Sequence, residues 1–350
     1  MNRACILLVN WNGWGDTVEC LESIFRHVPA DTRVIICDND STDGSVEKIQ
    51  AWAEGRLDPW IPVDHPLRTM SWPPVPKPVN CLVYDRNPAE QGGEAGDAAR
   101  LVLIRTGGNL GFAGGNNVGL RYVLSRGDAE FVWLLNNDIV IAPGALEALL
   151  ERMADRPDAG MCGSTLLRYD APDRVQARGG GWYCKWIGLP WHIGQLGRAG
   201  DTIDTGRVER RMNYVVGASL FVSRSFLEQV GLMCEDYFLF FEEADWALRS
   251  RGRFTLAYAA ESTVYHKVGR SIGTSCLPIR KSYTCDYYSL RNRLYFTRRF
   301  FPYALPAIYS SLAAALLVRV FCGKWDRAAM IWKLLFGAVV TMPATGLRQR

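Results

Sequence analysis

Residues 131–141, with the sequence FVWLLNNDIVI, constrain the fold more than any other stretch of the chain. The run from Phe131 to Leu135 is short, apolar and bulky, which is typical of a strand buried on both faces. Two asparagines and Asp138 follow, so a carboxylate lies at the carboxyl end of the predicted strand. Ligands bind at that edge of open α/β sheets, although Asn and Asp are also common in plain turns. The stretch therefore predicts either an edge site or an Asx turn, and by itself leaves both open.

The same alternation of apolar run and polar cluster occurs twice near the start of the chain. Ala4–Val9 is followed by Asn10, and Val34–Cys37 is followed by Asp38 in the cluster DNDSTDGS. A helical pattern follows each cluster, and this β-α-β-α order predicts a Rossmann-like, mostly parallel sheet flanked by helices. Asp38 lies too early to cap the second helix, unlike the polar residues after it. We therefore favour a ligand role for it, accepting from a ribose hydroxyl or a base N–H.

Composition excludes some classes of protein and leaves others open. The 350 residues are 48% hydrophobic and 22% charged, which indicates a folded globular chain of one large domain or two ordinary ones. A net charge of +4 is too small to indicate nucleic-acid binding. The ten cysteines include no CxxC pair, and the N-terminus lacks the pattern of a signal peptide. We therefore expect a reducing, cytoplasmic compartment.

A glycine-rich stretch, GGNLGFAGGNN at residues 107–117, precedes a predicted helix. Glycines permit positive φ and close backbone approach, and a helix N-terminus attracts phosphate. It matches neither the dinucleotide fingerprint nor a P-loop. Its amides, including Asn109 and Asn116, favour hydrogen bonding to a polar ligand over a plain turn.

Two later stretches carry candidate chemistry. FFEEADWALR, at residues 240–249, places Glu242, Glu243 and Asp245 beside aromatic residues, where a raised carboxyl pKa suits a general base. The alternative is a surface ion pair between Asp245 and Arg249, four residues apart. His266 ends a predicted strand, where it is either a metal or phosphate ligand or a structural histidine.

Taken in order, these stretches resemble the family 2 glycosyltransferases of the GT-A fold, within them the rhamnosyltransferase-like branch. The matching stretches are LLVNWNG (7–13), CDNDSTDGS (37–45), GGNLGFAGGNN (107–117), LLNNDIVI (134–141), VVGASLFVSR (215–224), FLFFEEADWALRSRG (238–252), VYHKVGRSIG (264–273) and YYSLRNRLYF (287–296). They span nearly the whole chain in the family's order, which makes the set far more specific than any single motif.

The resemblance implies roles for individual residues. A Mg²⁺ or Mn²⁺ ion is expected at Asp138, the only charged ligand left in the family's metal-binding motif because Asn136 replaces its first Asp. His266 is the second expected metal ligand. The family's Glu-Asp pair reads Glu242-Glu243 here, which leaves open whether Glu243, Glu242 or Asp245 is the base. Contacts to the nucleotide sugar are expected from Asn10, Asn12, Asp38, Asn109, Gly111, Asn116, Asn137 and Gly217.

The implied reaction is an inverting transfer of a sugar, with rhamnose from dTDP-rhamnose as the best single choice. The acceptor is expected to be a hydroxyl of a saccharide or lipid-linked saccharide in cell-surface polysaccharide synthesis. Two rival hypotheses are a non-catalytic protein that binds nucleotide sugars and a nucleotidyltransferase. The second would need a basic glycine-rich loop after the first strand, and residues 12–15 are not basic.

The expected domains are a catalytic domain at residues 1–275 and a helical, basic and aromatic extension at 276–350. The catalytic domain divides into a nucleotide-binding half, about 1–140, with a Pro-rich insertion at about 55–99, and an acceptor half, about 141–275. In the extension, Tyr303–Val318 is apolar but shorter than the roughly 20 residues that span a bilayer. We expect interfacial helices at the cytoplasmic face of the inner membrane, or alternatively a buried helical pair. The oligomeric state is left open.

Overall fold

The computed structural model describes residues 2–94, 96, 98–267 and 282–337. Its strands are β1 Asn2–Asn10, β2 Arg33–Asp38, β3 Cys81–Asp85, β4 Leu101–Arg105, β5 Ala129–Asn136, β6 Ile139–Ile141, β7 Ala159–Arg168, β8 Val175–Arg178, β9 Gly180–Cys184, β10 Leu189–His192, β11 Tyr214–Val215, β12 Ser219–Ser223 and β13 Thr255–His266. Its α-helices are α1 Trp14–His27, α2 Ser45–Ala53, α3 Arg68–Ser71, α4 Arg86–Glu90, α5 Gly111–Arg126, α6 Ala145–Asp155, α7 Thr205–Arg211, α8 Arg224–Val230, α9 Glu242–Arg249, α10 Tyr283–Phe300, α11 Leu305–Phe321 and α12 Trp325–Leu335.

One large sheet organises the chain, in the order β3-β4-β2-β1-β5-β12-β7-β13-β6, with β8 paired to β7. The strands β3, β4, β2, β1 and β5 are mutually parallel, β12 is antiparallel to β5 and β7, and β13 is parallel to β7. The carboxyl ends of β1, β2, β5 and β13 therefore meet at one edge, called the site edge below. This confirms the predicted α/β fold with a mostly parallel sheet.

The apolar runs form the core because helices cover the sheet. All six residues of β2 are buried, and the Phe131–Leu135 run contributes the fully buried Trp133 and Leu134. Gly119 lets α5 lie close to β1, since a Cβ at this position would collide with Leu7. A separate three-stranded sheet, β10-β9-β11, forms within the glycine- and tryptophan-rich region after β8.

The Pro-rich insertion contains a strand that the sequence pattern did not reveal. Cys81–Asp85 pairs in parallel with β4 and forms the outer edge of the main sheet. The buried Glu22 of α1 anchors the insertion, accepting from the Val75 N–H at 2.6 Å and from Lys77 Nζ at 2.9 Å. The prolines exclude a long helix, but they do not prevent this short strand.

Three helices follow the segment that lies outside the described residues. α10 packs on the main core through Phe296, and a second apolar cluster joins it to α11 and α12, with Leu290, Leu294, Ile308, Leu312, Met330 and Ile331 at its centre. Arg319 of α11 donates to Asp286 of α10 at 2.8 Å, and both are buried. The predicted boundary near residue 275 lies outside the described residues.

Candidate active site

A buried hydrogen-bond network around Asp38 joins the ends of β1 and β2. Asp38 Oδ1 accepts from the Asn10 amide and from the Ser41 hydroxyl, both at 2.7 Å, while Oδ2 accepts from the Ser41 N–H at 3.0 Å. An ionised carboxylate has about four acceptor positions, so these three donors leave room for one more. Asp38 is therefore fixed in orientation and retains capacity for a ligand donor.

Asn10 and Asn12 use their side-chain amides for hydrogen bonds within the protein. Asn10 is fully buried, and its Oδ1 accepts from Thr17 Oγ1 at 2.8 Å and from Asn137 Nδ2 at 3.3 Å. Its amide is thus committed to protein partners, and it positions Asp38 and Asn137. Asn12 Oδ1 accepts from the Thr42 N–H at 2.7 Å, which holds the loop after β2.

The two predicted metal ligands are in contact. His266 Nε2 lies 3.1 Å from Asp138 Oδ1, and both residues are buried at the site edge. Burial by itself would raise the pKa of Asp138, but the charge and hydrogen bond of His266, with the charge of Lys267, lower it below the ordinary value. Asp138 is therefore a stable anion beside an imidazole.

Gln176, at the start of β8, determines which ring nitrogen of His266 is available. Its Oε1 lies 2.9 Å from His266 Nδ1, so Nδ1 carries a proton and donates. Nε2 then faces the Asp138 carboxylate, and the Asn136 amide nitrogen lies 3.5 Å from it, so Nε2 is placed to bind a metal ion together with Asp138. An imidazole oriented by a second partner is typical of metal-ligating histidines.

This donor set fits a divalent ion that takes its other ligands from a substrate. Within the described ranges no cluster of three or more His, Cys, Asp or Glu side chains is placed to hold a metal. Two protein ligands are sufficient where Mg²⁺ or Mn²⁺ keeps waters and binds phosphate oxygens. Lys267, next to His266, contributes no free charge, because its ammonium pairs with Asp16 at 2.5 Å and Glu19 at 2.6 Å.

Gly217 lies in space between the end of β5 and the acidic helix α9. The neighbouring Ala218 carbonyl accepts from the Asn136 N–H at 3.0 Å, so this turn lies directly beside the site edge. A Cβ at Gly217 would lie 3.5 Å from the ring of Phe112 and 3.9 Å from Cδ of Glu243. Gly217 thus forms a side-chain-free wall between Glu243 and the end of β5, two residues before Asp138.

Glu243 differs from the other two candidate carboxylates in its exposure and its pKa. It is partly exposed beside Gly217, and its Oε2 has no hydrogen-bond partner. Desolvation raises the pKa of Glu243 to about 7. Its neighbour Glu242 is more deeply buried, and desolvation together with the charge of Glu243 raises the pKa of Glu242 well above the ordinary value. Both carboxyl pKa values are thus raised, and that of Glu243 lies in the range suited to exchange of a proton near neutral pH.

Asp245, the third candidate base, has a different environment. It is fully buried, and its oxygens accept from Arg249 at 2.6 Å and Tyr237 at 3.0 Å and pair with Arg299 at 2.8 Å. A fully buried carboxylate whose oxygens are occupied by two guanidinium groups and a tyrosine hydroxyl is shielded from a substrate. The predicted Asp245–Arg249 pair is present, but it is buried, and we do not retain Asp245 as a base.

At several positions, residues of the glycine-rich stretch make contacts within the protein rather than facing a ligand site. Gly111 has φ of +71°, and a Cβ there would collide with the Phe238 carbonyl oxygen. Asn109 Oδ1 accepts from the Gly111 N–H at 3.0 Å. Asn116 Nδ2 donates to the Phe112 carbonyl one turn earlier at 2.9 Å. These contacts shape the start of α5 and bring it against the segment before α9.

The segment before α9 has an unusual backbone. Phe238, Phe240 and Phe241 have φ of 61°, 69° and 77°, a region that bulky residues rarely adopt. The Leu239 N–H donates to the Tyr237 carbonyl at 2.7 Å, which closes a tight γ-turn about Phe238. Each such residue costs about 1–3 kcal/mol, so the surrounding structure must hold this segment in place.

The site edge thus gathers Asp38, Asn137, Asp138 and His266, and Gly217 joins them to Glu243. Sequence reasoning missed Gln176 and Phe112, which lie in stretches without a charged or metal-binding pattern. It also assigned no role to Asn292, whose only signal was a polar residue inside the aromatic stretch YYSLRNRLYF.

Comparison with known proteins agrees with this geometry. A family model described as "Glycosyl transferase family 2" matches residues 82–205. Over this region the chain is similar to the glycosyltransferases of family 2. The chain is 26% identical over 217 residues to an N-acetylglucosaminyl-diphospho-decaprenol L-rhamnosyltransferase of Mycobacterium tuberculosis, covering 56% of the chain and 69% of that relative. The likeness supports the resemblance to the rhamnosyltransferase-like branch.

A second relative is matched over a shorter stretch. The chain is 27% identical over 151 residues to the low-salt glycan biosynthesis hexosyltransferase Agl10 of Haloferax volcanii. The match covers 43% of the chain and 46% of the relative, so the chain spans less than half the length of that enzyme.

Two solved structures share the architecture. The mannosyltransferase PcManGT from Pyrobaculum calidifontis, in complex with GDP-Man and Mn²⁺, has a TM-score of 0.51 at 16% identity, covering 95% of this chain and 85% of that chain. GalNAc-T7 with UDP, GalNAc and Mn²⁺ also has a TM-score of 0.51, at 11% identity, covering 83% of this chain and 50% of that chain. At these identities the likeness shows the shared GT-A fold.

Proposed function

We propose that this protein is a metal-dependent, inverting glycosyltransferase that uses a nucleotide-sugar donor. The observation that carries the proposal is the convergence at one edge of the sheet. Asp138 and His266 form a two-ligand cation site, and Glu243, a carboxylate with its pKa near neutrality, lies across the Gly217 wall. A leaving-group site and a base beside one another are what a single displacement requires.

The donor half of the site would hold the nucleoside diphosphate. Asp38 has one free acceptor position for a base or ribose donor, and Asn10 and Asn137 keep it in place. Asp138 and His266 would hold Mg²⁺ or Mn²⁺ against the diphosphate. When bound, this ion supplies positive charge that stabilises the departing diphosphate.

Glu243 would supply the acceptor half of the chemistry. Its carboxylate accepts the proton of an acceptor hydroxyl, and that oxygen attacks the anomeric carbon as the bond to the diphosphate breaks. One base and no protein nucleophile give a single displacement with inversion of configuration. Gly217 leaves space for the acceptor, because any side chain there would fill the gap between Phe112 and Glu243.

For the donor and acceptor we propose dTDP-rhamnose and a saccharide or lipid-linked saccharide used in cell-surface polysaccharide assembly. The name of the mycobacterial relative, a rhamnosyltransferase acting on a diphospho-decaprenol-linked sugar, supports this choice. We retain the proposed division into a catalytic domain at residues 1–275 and a helical extension at 276–350.

The extension supports a lipid-linked acceptor through its exposed apolar surface. Pro302–Phe321, which is α11 with the turn before it, has 20 residues of mean hydropathy 1.7, long enough to cross a bilayer, and the most apolar part is only 22% buried. Large apolar side chains are exposed on α11, on α12 and just after them, at Leu317, Val318, Phe321, Trp325, Trp332 and Phe336. We propose that this surface contacts the cytoplasmic face of the inner membrane. Vesicle binding and resistance to alkaline extraction distinguish surface association from spanning.

Sugar transfer tests the proposal directly. Purified protein is incubated with Mn²⁺, a panel of sugar nucleotides and a lipid-linked saccharide, and release of nucleoside diphosphate is followed. We expect release with one donor, and loss of release in Glu243→Gln and Asp138→Asn. Tight nucleotide binding without release from any donor would instead support the non-catalytic alternative.

A further inference from the structure

The base lies at the start of α9, immediately after the strained Phe238–Phe241 segment. The position of Glu243 therefore depends on whatever holds this segment, since three bulky residues with positive φ do not keep such a conformation by themselves. Two main-chain contacts contribute from within the catalytic domain. The Phe112 N–H donates to the Phe238 carbonyl, and the Asp245 N–H donates to the Phe241 carbonyl, at 2.7 and 2.8 Å.

The strongest additional contact comes from α10, more than 40 residues later in the chain. Asn292 is fully buried, and its Nδ2 lies 2.8 Å from the Tyr237 carbonyl, 2.7 Å from that of Leu239 and 3.0 Å from that of Phe240. Carbonyls accept only, so Nδ2 must face them, and its two hydrogens serve three acceptors. Asn292 Oδ1 accepts from Arg291 at 2.8 Å, which fixes the orientation of the amide.

Neighbouring side chains of α10 support the same segment from its edges. The ring of Tyr288 stacks on Phe238 with centroids 4.8 Å apart, and the Tyr295 hydroxyl donates to Asp236 at 2.8 Å. These residues are more exposed than Asn292, and they contact side chains rather than the strained backbone. Asn292 bonds three carbonyls of residues 237–240, whereas Arg291 on the same helix donates to the Asp236 carbonyl just before them.

We propose that Asn292 is a positioning residue for the glycosyl-transfer base, acting through the backbone of residues 237–241 to aim Glu243 at the acceptor. The inference rests on the proposed function, because Glu243 as the base is itself part of that proposal. In this proposal α10 positions the base, in addition to joining α11 and α12 to the catalytic domain.

The test compares Asn292→Leu, which keeps a similar volume without donors, with Arg298→Gln on the same helix. Arg298 donates to the Tyr309 hydroxyl at 2.7 Å and is exposed, so it serves as the matched control. We expect kcat of Asn292→Leu to fall about 10–100-fold, the scale of a misplaced catalytic group, with the donor KM within about twofold of wild type. The acid limb of the pH profile should also move to lower pH, because a loosened segment hydrates Glu243.

A general structural role would give a different pattern. If kcat is unchanged, or if kcat falls with a parallel rise in the donor KM and an unmoved acid limb, the positioning role is refuted. Should Asn292→Leu fail to fold, Asn292→Ser retains one donor, and we expect it to show the same pattern with a smaller loss in kcat. Arg298→Gln should match wild type, and a loss as large as that of Asn292→Leu would also refute the role.

Amide hydrogen exchange separates this inference from the proposed function, because it needs no substrate. In Asn292→Leu the amides of residues 237–245 should exchange at least tenfold faster, while those of β1 and β5 keep their wild-type rates. If wild type transfers no sugar but this local loosening is seen, the proposed function fails and the contact's role in holding the segment stands. If wild type transfers sugar and both exchange and kcat are unaltered in the variant, the inference fails and the function stands.

Discussion

The raised pKa of Glu243 predicts how the rate of sugar transfer changes with pH. Desolvation at the start of α9 raises the pKa of Glu243 to about 7, against 4.5 for an ordinary glutamate. With such a pKa, the ionised fraction of the base rises from about one tenth at pH 6 to about nine tenths at pH 8. We therefore expect kcat/KM for sugar transfer to rise about tenfold over this range. A base with an ordinary pKa would give a nearly flat profile.

The assay is steady-state release of nucleoside diphosphate at fixed, saturating Mn²⁺, with wild type, Glu243→Gln and Glu242→Gln. Loss of a general base typically costs about 10²–10⁴-fold, so Glu243→Gln should fall by that amount and lose the acid limb. Glu242 is more deeply buried and its pKa is raised, so we expect its neutral isostere, Glu242→Gln, to lose less than about tenfold. The opposite ranking, or a rate that does not change between pH 6 and 8, would refute the assignment of Glu243.

Three further outcomes follow from the site and the C-terminal helices. Gln176→Leu removes the acceptor that orients the His266 ring. We expect the affinity for Mn²⁺, measured by calorimetry with nucleoside diphosphate, to fall about 10–100-fold. Unchanged affinity would show that Gln176 does not orient His266 for metal binding. Asp245→Asn removes the fully buried charge that pairs with the half-buried Arg249 and the exposed Arg299, and should cost up to about 3–5 kcal/mol in urea unfolding. The acid limb should not move, and loss of activity at full stability would indicate a direct catalytic role. Replacing Phe321 and Trp325 by Ser should reduce co-sedimentation with anionic vesicles severalfold, and equal binding would exclude this surface.

The sequence was a good guide where local pattern decides structure. Short apolar runs that end in polar clusters predicted β1, β2 and β5, and the parallel order then required Asn10, Asp38 and Asp138 to share an edge. The expectation of aromatic surroundings for Glu243 also had a physical basis, since burial of a carboxylate raises its pKa whatever the details of the fold.

The sequence did not predict the features that depend on contacts between distant parts of the chain. Asp245 has the same local pattern as Glu243, but Arg299, 54 residues later, pairs with it in the folded protein. Gly111 suited a ligand on sequence grounds, while its positive φ and the nearby Phe238 carbonyl give a packing reason for it. Strand β3 has no clear alternation and lies among prolines, so only its pairing with β4 defines it.

The most direct measurement is the location of manganese in a crystal grown with Mn²⁺ and a nucleoside diphosphate, found by anomalous scattering. We predict one strong peak within about 2.5 Å of an Asp138 oxygen and of His266 Nε2, bridging to the diphosphate, with the nucleoside against Asp38. A peak away from these two side chains, or a diphosphate bound elsewhere than the ends of β1, β2 and β5, would contradict the proposed site.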